Sequence, residues 1–217
     1  SRGLYASMLL FTNSGFMGIP IASAVFGQHG MFIMVFENMY MTLFLYSAGV
    51  IMIGMDTEKK VSVKDGIKSA ANLCMFASLL GVALLLIGFT FPATISRFLH
   101  LIGEMTVPLS MMLVGIQLGT SNLSQLLRKP DLIGFTVVKS TFLPAITLLC
   151  MYFLDVAPMV KVITVLCMAL PAAAILVALS ERNEADASLA AGGVSLSTLF
   201  SMATIPLVCT LLKAMFL

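Results

Sequence analysis

Apolar residues fall along this chain in seven long blocks separated by short polar connections. A helix needs about 20 residues to cross the hydrocarbon of a bilayer, and the blocks approach or exceed that length. The pattern predicts spans from about Leu4 to Phe26, Met31 to Gly54 and Ala70 to Phe91. A fourth follows the short amphipathic piece Ala93 to His100 and ends at Gly119, and three more cover Leu132 to Leu154, Val160 to Ser180 and Leu189 to Leu217. Between them, Met55 to Lys68 is the longest charged segment, and no linker is long enough to separate folded domains. The expectation is one compact, all-α membrane unit.

Two of the blocks are interrupted by proline in mid-course, at Gly18-Ile19-Pro20 and at Leu170-Pro171-Ala172. Hydrocarbon punishes unpaired backbone N–H and C=O groups, so irregular backbone persists there only where it is buried in protein or lines a cavity. Interrupted helices in corresponding positions of two halves are the sequence signature of a secondary transporter's substrate site.

Composition agrees with lipid as the solvent. The chain is 59% hydrophobic and 10% charged, with a mean hydropathy of +1.05, whereas a soluble domain carries about 25% charged residues. A net charge of +2 and the lack of a basic run with interleaved aromatics argue against nucleic acid. Trp, usual in interfacial belts, is absent. Cys74, Cys150, Cys167 and Cys209 each sit in an apolar run at spacings that suit neither a disulfide framework nor a zinc site, so they read as small hydrophobes. The 17 methionines are scattered through every span rather than clustered as copper ligands. His29 and His100 lie at helix ends without a nucleophile or metal constellation, which counts against an intramembrane enzyme. The start, Ser1-Arg2-Gly3, opens directly into an apolar helix without the charged region or cleavage site of a signal peptide.

The basic residues orient the spans. Alternating from the first, one side receives Arg2, Lys59, Lys60, Lys64, Lys68, Arg128, Lys129 and Arg182, the other only Arg97, Lys161 and Lys213. The positive-inside rule makes the first side cytoplasmic. The first broken span then climbs from the cytoplasm and the second descends from outside. If each second half begins at its proline, where the missing N–H costs nothing, the two half-helices point their positive N-termini at one another near the midplane. Such a pair suits a carboxylate without a buried arginine, and Ala172 and its small successors leave the donors open. The alternative is that each proline merely kinks a helix.

Asn13-Ser14-Gly15-Phe16-Met17-Gly18-Ile19-Pro20 resembles the first crossover segment of the auxin efflux carrier family, which includes plant auxin exporters and bacterial malate or malonate permeases. Thr106-Val107-Pro108-Leu109-Ser110, with Gly115 and Leu118, is similar to the proline-containing helix of that family's second repeat. Ala169 to Ala173 resembles its second crossover, and Ser197, Thr198, Ser201, Thr204 and Pro206 its last helix. The resemblance implies a bile-acid-symporter-like fold of ten helices in two inverted repeats, of which this chain holds about the last seven. It divides the chain into the end of the first repeat (1–54), a cytoplasmic loop (55–69), scaffold helices (70–119) and core helices with the second crossover (120–217).

The implied activity is secondary transport of small organic anions, such as malate, malonate or auxin-like acids, by alternating access, without catalysis or a cofactor. A sensor or scaffold that keeps the fold is the alternative, with an intramembrane enzyme the more distant one. The substrate-binding candidates are Asn13, Gly18, Ile19, Pro20, Pro171, Ala172, Thr198 and Ser201. Asn13 lies seven residues before Pro20, about two helical turns, and its amide either meets a carboxylate or only packs helices. Hydroxyls on the Ser197–Ser201–Thr204 stripe either touch substrate or bond back to their own helix. Lys139 and Glu37 lie inside spans and are the candidates for a coupling or charge role, although Lys139 has the length to reach the cytoplasmic interface. Expected partners are a small carboxylate and membrane lipid, with H⁺ or Na⁺ as candidate coupling ions, a homodimer as a candidate assembly and no nucleic acid. The expected location is the cell membrane, by the resemblance a bacterial cytoplasmic membrane.

Overall fold

The computed structural model describes residues 1–57 and 73–217. Most of the expected 55–69 loop, with Lys59, Lys60, Lys64 and Lys68, lies outside the described residues, as do the start of the third span and the side chain of Cys74.

Among the described residues the chain is helical throughout, in the order α1 (Arg2–Leu10), α2 (Ile19–Phe44), α3 (Val50–Gly54), α4 (Leu73–Ile87), α5 (Ala93–Glu104), α6 (Thr106–Gly119), α7 (Leu123–Leu126), α8 (Pro130–Val137), α9 (Leu143–Phe153), α10 (Pro158–Ala169), α11 (Ile175–Arg182) and α12 (Ala187–Phe216). Single π-helical stretches, Ser14–Gly18, Leu45–Gly49 and Val138–Phe142, lead into α2, α3 and α9. Four continuous stretches are long and apolar enough to cross a membrane: Ser14–Gly54, Ala93–Gly119, Pro130–Phe153 and Ala187–Phe216. Phe76–Ile87 and Pro158–Ala169 are shorter apolar helices.

The first of these stretches is two antiparallel helices rather than one. Gly27 sits at φ 68°, ψ −163°, outside helical space. Beyond it the chain folds back on itself: Ser14 Oγ donates to Asn38 Oδ1 at 3.0 Å, and a side chain placed on Gly18 would meet Met34 Sδ at 2.9 Å. One on Gly30 would lie 3.3 Å from the Ala22 carbonyl oxygen. Pairs 14–38, 18–34 and 22–30 are the register of a hairpin turning near residue 26. The left-handed turn is cheap for glycine because no Cβ opposes it, and it separates the first two predicted spans.

The core is built around α10, where Val162, Ile163, Val165, Leu166 and Cys167 are all fully or almost fully buried against α2, α9 and α12. Helix α12 passes close to its neighbours through small residues: Gly192 faces Leu126 and Leu132, and Gly193 faces Met8 and Phe135. Gly, Ala and Ser at helix contacts let backbones approach where lipid supplies no hydrophobic drive between helices. Asp186 caps α12 by accepting the Leu189 N–H at 2.8 Å. Helices α4 to α6 bury little: Ser110 is the one buried residue among their described side chains, and Val114 of α6 packs half-buried against the core. Cys167 and Cys209 are buried as expected, but Cys150 is exposed on α9.

Candidate functional site at the paired helix breaks

Helix α1 ends at Leu10, and Phe11 turns the chain to extended geometry at φ −93°, ψ 121°. On the other broken span α10 ends at Ala169, and Leu170 is extended at φ −66°, ψ 153°. The two extended segments meet as a short antiparallel bridge centred on Thr12 and Ala172. The Asn13 N–H donates to the Pro171 oxygen at 2.8 Å, and the Ala173 N–H to the Phe11 oxygen at 3.0 Å. The Ala172 N–H reaches Ser197 Oγ on α12 at 3.2 Å, and Thr12 Oγ1 lies 3.3 Å from Cys167 Sγ. Each break thus supplies the partners that the other's irregular backbone requires in an apolar medium.

The first break differs in place from the sequence expectation. It lies at Phe11 to Asn13, and Gly18-Ile19-Pro20 is continuously helical. Pro20 lacks the N–H that would bond back to Phe16, and the π-helical turn Ser14–Gly18 immediately before it is one of the recognised ways a helix absorbs such a defect. The second half-helix of the first span therefore starts after Asn13. In the second broken span the interruption falls at Leu170-Pro171-Ala172 as expected, but the new helix begins at Ile175, not at Pro171.

A cavity of about 290 Å³ opens beside the bridge. Its walls include Asn13, Ser14, Gly15 and Phe16 from the start of one half-helix, and Ala173, Ala174 and Ile175 from the start of the other. Asn38, Met41, Thr42, Leu45 and Tyr46 close the opposite side, with Phe11 and Thr12 at the break itself. None of these side chains carries a formal charge. Helix N-termini present unpaired N–H groups and about half a positive charge each, so the field in this cavity favours an anion. Asn13 is 4% exposed, and its Nδ2 has no hydrogen-bond partner among the described residues. A buried, unmatched donor costs on the order of 1–3 kcal/mol, which a bound acceptor would offset.

The remaining predicted residues are distributed unevenly. Gly18 packs against Leu170 and Met34, Pro171 supplies a carbonyl to the bridge, and Ala172 is its centre. With Ile19 and Pro20 they support the cavity without bordering it. Thr198 Oγ1 donates to Val194 O at 2.7 Å and Ser201 Oγ to Thr198 O at 2.7 Å, so both bond to their own helix. Ser197, not these two, touches a break. Glu37 accepts from Thr164 Oγ1 at 2.8 Å between α2 and α10. Lys139, in the π-helical turn before α9, is 1% exposed and donates to the Leu9 oxygen at 2.5 Å, so it does not reach for the interface. Asn38, Thr42 and Tyr46 were not among the expected site residues, although their spacing of four places them on one face of a helix. A second cavity, of about 480 Å³, adjoins Ala174 on the side of Gln117, Asn122, Gln125 and Lys129. It meets only one of the two breaks. Among the described residues no group of three His, Cys, Asp or Glu is placed to hold a metal.

A family model of membrane transport proteins matches residues 1–209. The chain belongs to that family. It is the auxin efflux carrier family, whose motifs the sequence resembles. No curated protein and no solved structure matches the chain. For a member of a transport family, the paired breaks and their uncharged, dipole-lined cavity are the natural place to look for cargo.

Proposed function

We propose that this carrier moves small organic carboxylates by alternating access, binding the carboxylate at the two half-helix starts beside the Thr12–Ala172 bridge. The observation that carries the proposal is the buried Asn13 amide, unpartnered and bordering a cavity into which both half-helix N-termini open. A carboxylate fits that arrangement because it is acceptor-only when ionised and can take several N–H donors at once. The rest of the cavity is lined by Phe11, Phe16, Met41, Leu45, Tyr46 and Ile175. These walls favour a monocarboxylate with an apolar or aromatic body, such as an auxin-like acid, over malate or malonate. A second carboxylate would be desolvated against them without a counter-charge. Gly18, Ile19, Pro20, Pro171 and Ala172 hold the site from behind, and Glu37 and Lys139 are the charged groups nearest to a coupling role.

The test is uptake of labelled indole-3-acetate, malonate and malate by the carrier in proteoliposomes, with Asn13→Ala alongside. Losing one hydrogen bond to a charged group is worth about 1.5–3 kcal/mol, so Asn13→Ala should weaken apparent affinity roughly 10- to 100-fold without lowering the melting temperature, because Nδ2 has no hydrogen bond to lose in the free protein. Unaltered uptake in the variant would remove the site assignment, and no uptake of any acid by the intact carrier would remove the substrate class.

A further inference from the structure

Lys139 presents a problem that the carboxylate site does not solve. It is the largest of the fully buried side chains, in a 24-residue helical stretch otherwise apolar enough to cross a membrane. Charges inside spans are rare and mark ion pathways or paired sites. Yet among the described residues no carboxylate lies within ion-pair distance of its Nζ, and the acceptor it meets is a backbone carbonyl 130 residues away, Leu9 O at 2.5 Å.

That carbonyl has a particular status. Leu9 is the penultimate residue of α1, the first half of a broken span. The last four carbonyls of a helix have no intrahelical N–H to meet and carry about half a negative charge between them. In transporters with discontinuous helices, such C-terminal carbonyls and the unwound backbone beside them are the ligands of coupling cations, while the N-terminal ends take the anionic substrate. Here the N-terminal ends open into the cavity, and the carbonyl end already holds the Lys139 amino group. The two are closely joined, because Phe11, two residues after Leu9, belongs to both the bridge and the cavity wall.

We propose that the Lys139 ammonium is a tethered cation, filling the carbonyl end of the first broken span where a free coupling cation would otherwise bind, so that this carrier needs no Na⁺. The transport half of this inference rests on the carboxylate reading above; the occupancy half does not.

Cation occupancy is read first without any transported acid, from the melting temperature of the purified full chain in Na⁺ and in choline. Wild type should show no Na⁺-dependent shift. Lys139→Ala, which empties the space around the Leu9 oxygen, should be stabilised by Na⁺ or by methylammonium in a concentration-dependent manner. Stabilisation of wild type by Na⁺, or indifference of Lys139→Ala to both ions, overturns the proposal. In proteoliposomes, wild-type uptake of a transported acid should be equal in the two salts. Lys139→Met, similar in volume but uncharged, should lose at least about tenfold in uptake, the scale of one charged hydrogen bond, and methylammonium should restore uptake to Lys139→Ala. Lys139→Met transporting like wild type overturns the proposal. If no acid is taken up in either salt while the melting pattern is as expected, the carrier reading falls and the cation assignment stands. The wild-type salt comparison holds even if a variant fails to fold.

Discussion

Gly18 shows how much of the site is held by a single absent methyl group. A Cβ there would lie 2.8 Å from Leu170 Cδ1 and 2.9 Å from Met34 Sδ, so the buried ends of both side chains would have to shift to make room in the second half of the first broken span. Gly18→Ala should therefore destabilise the protein by roughly 1–3 kcal/mol, the usual cost of overpacking, seen as a lower melting temperature in detergent. It should weaken substrate binding as well, since Gly18 ends the π-helical turn whose first residues border the cavity. At this scale the sequence was partly legible. Asn13 stood out because an amide within an apolar run is expensive unless something meets it. Thr198 and Ser201 bond to their own helix; a hydroxyl in a membrane helix is satisfied as easily by its own carbonyls as by a ligand, and sequence does not tell the two apart. Asn38, Thr42 and Tyr46 stand at helical spacing, but spacing alone does not say which face of a helix borders a cavity.

Among the elements, α1 is short and ends in an unwound segment, so its start has to be fastened elsewhere. Asp56, just beyond α3, accepts the Leu4 N–H at 2.8 Å and so caps it. Burial pushes the Asp56 carboxyl up, but the N–H groups of Leu4 and Gly3 together with the Ser1 amino group, 3.3 Å away, hold it below its ordinary value. A carboxylate with a depressed folded pKa stabilises fully above its unfolded pKa, and the contribution fades as pH falls through the folded value. Asp56→Asn should accordingly cost about 0.5–1 kcal/mol near neutral pH, as for a partly exposed cap. The gap between variant and wild-type melting temperatures should close in acid below the ordinary carboxylate range. Span boundaries were legible because lipid imposes length and polarity on every helix. The location of the first break was not. Proline is the usual signal for an interruption, yet a π-helical turn accommodates Pro20, and the actual break at Phe11 to Asn13 is stabilised by residues about 160 positions away. No local rule reports a partner that distant.

Across the whole molecule, burial is concentrated in one half. Leu166 on α10 is fully buried, whereas Leu79 on α4 is 54% exposed. Leu166→Ala should cost about 2–5 kcal/mol and Leu79→Ala less than about 0.5 kcal/mol, a contrast that paired thermal melts would check. Composition foretold a membrane protein, and family motifs foretold a transporter, but neither foretold that α4 to α6 would bury so little.

The bridge between the breaks has a consequence for how such proteins can be compared. Its two ladder bonds use the N–H of Asn13 and Ala173 and the carbonyls of Phe11 and Pro171. Proline is tolerated at 171 because the ladder asks that residue only for an oxygen. Since no side chain takes part in those bonds, a substitution on one strand calls for no matching substitution on the other. Covariation between related sequences would therefore be nearly silent at the joint that brings the two halves of the protein together, and its register would have to be recovered from geometry.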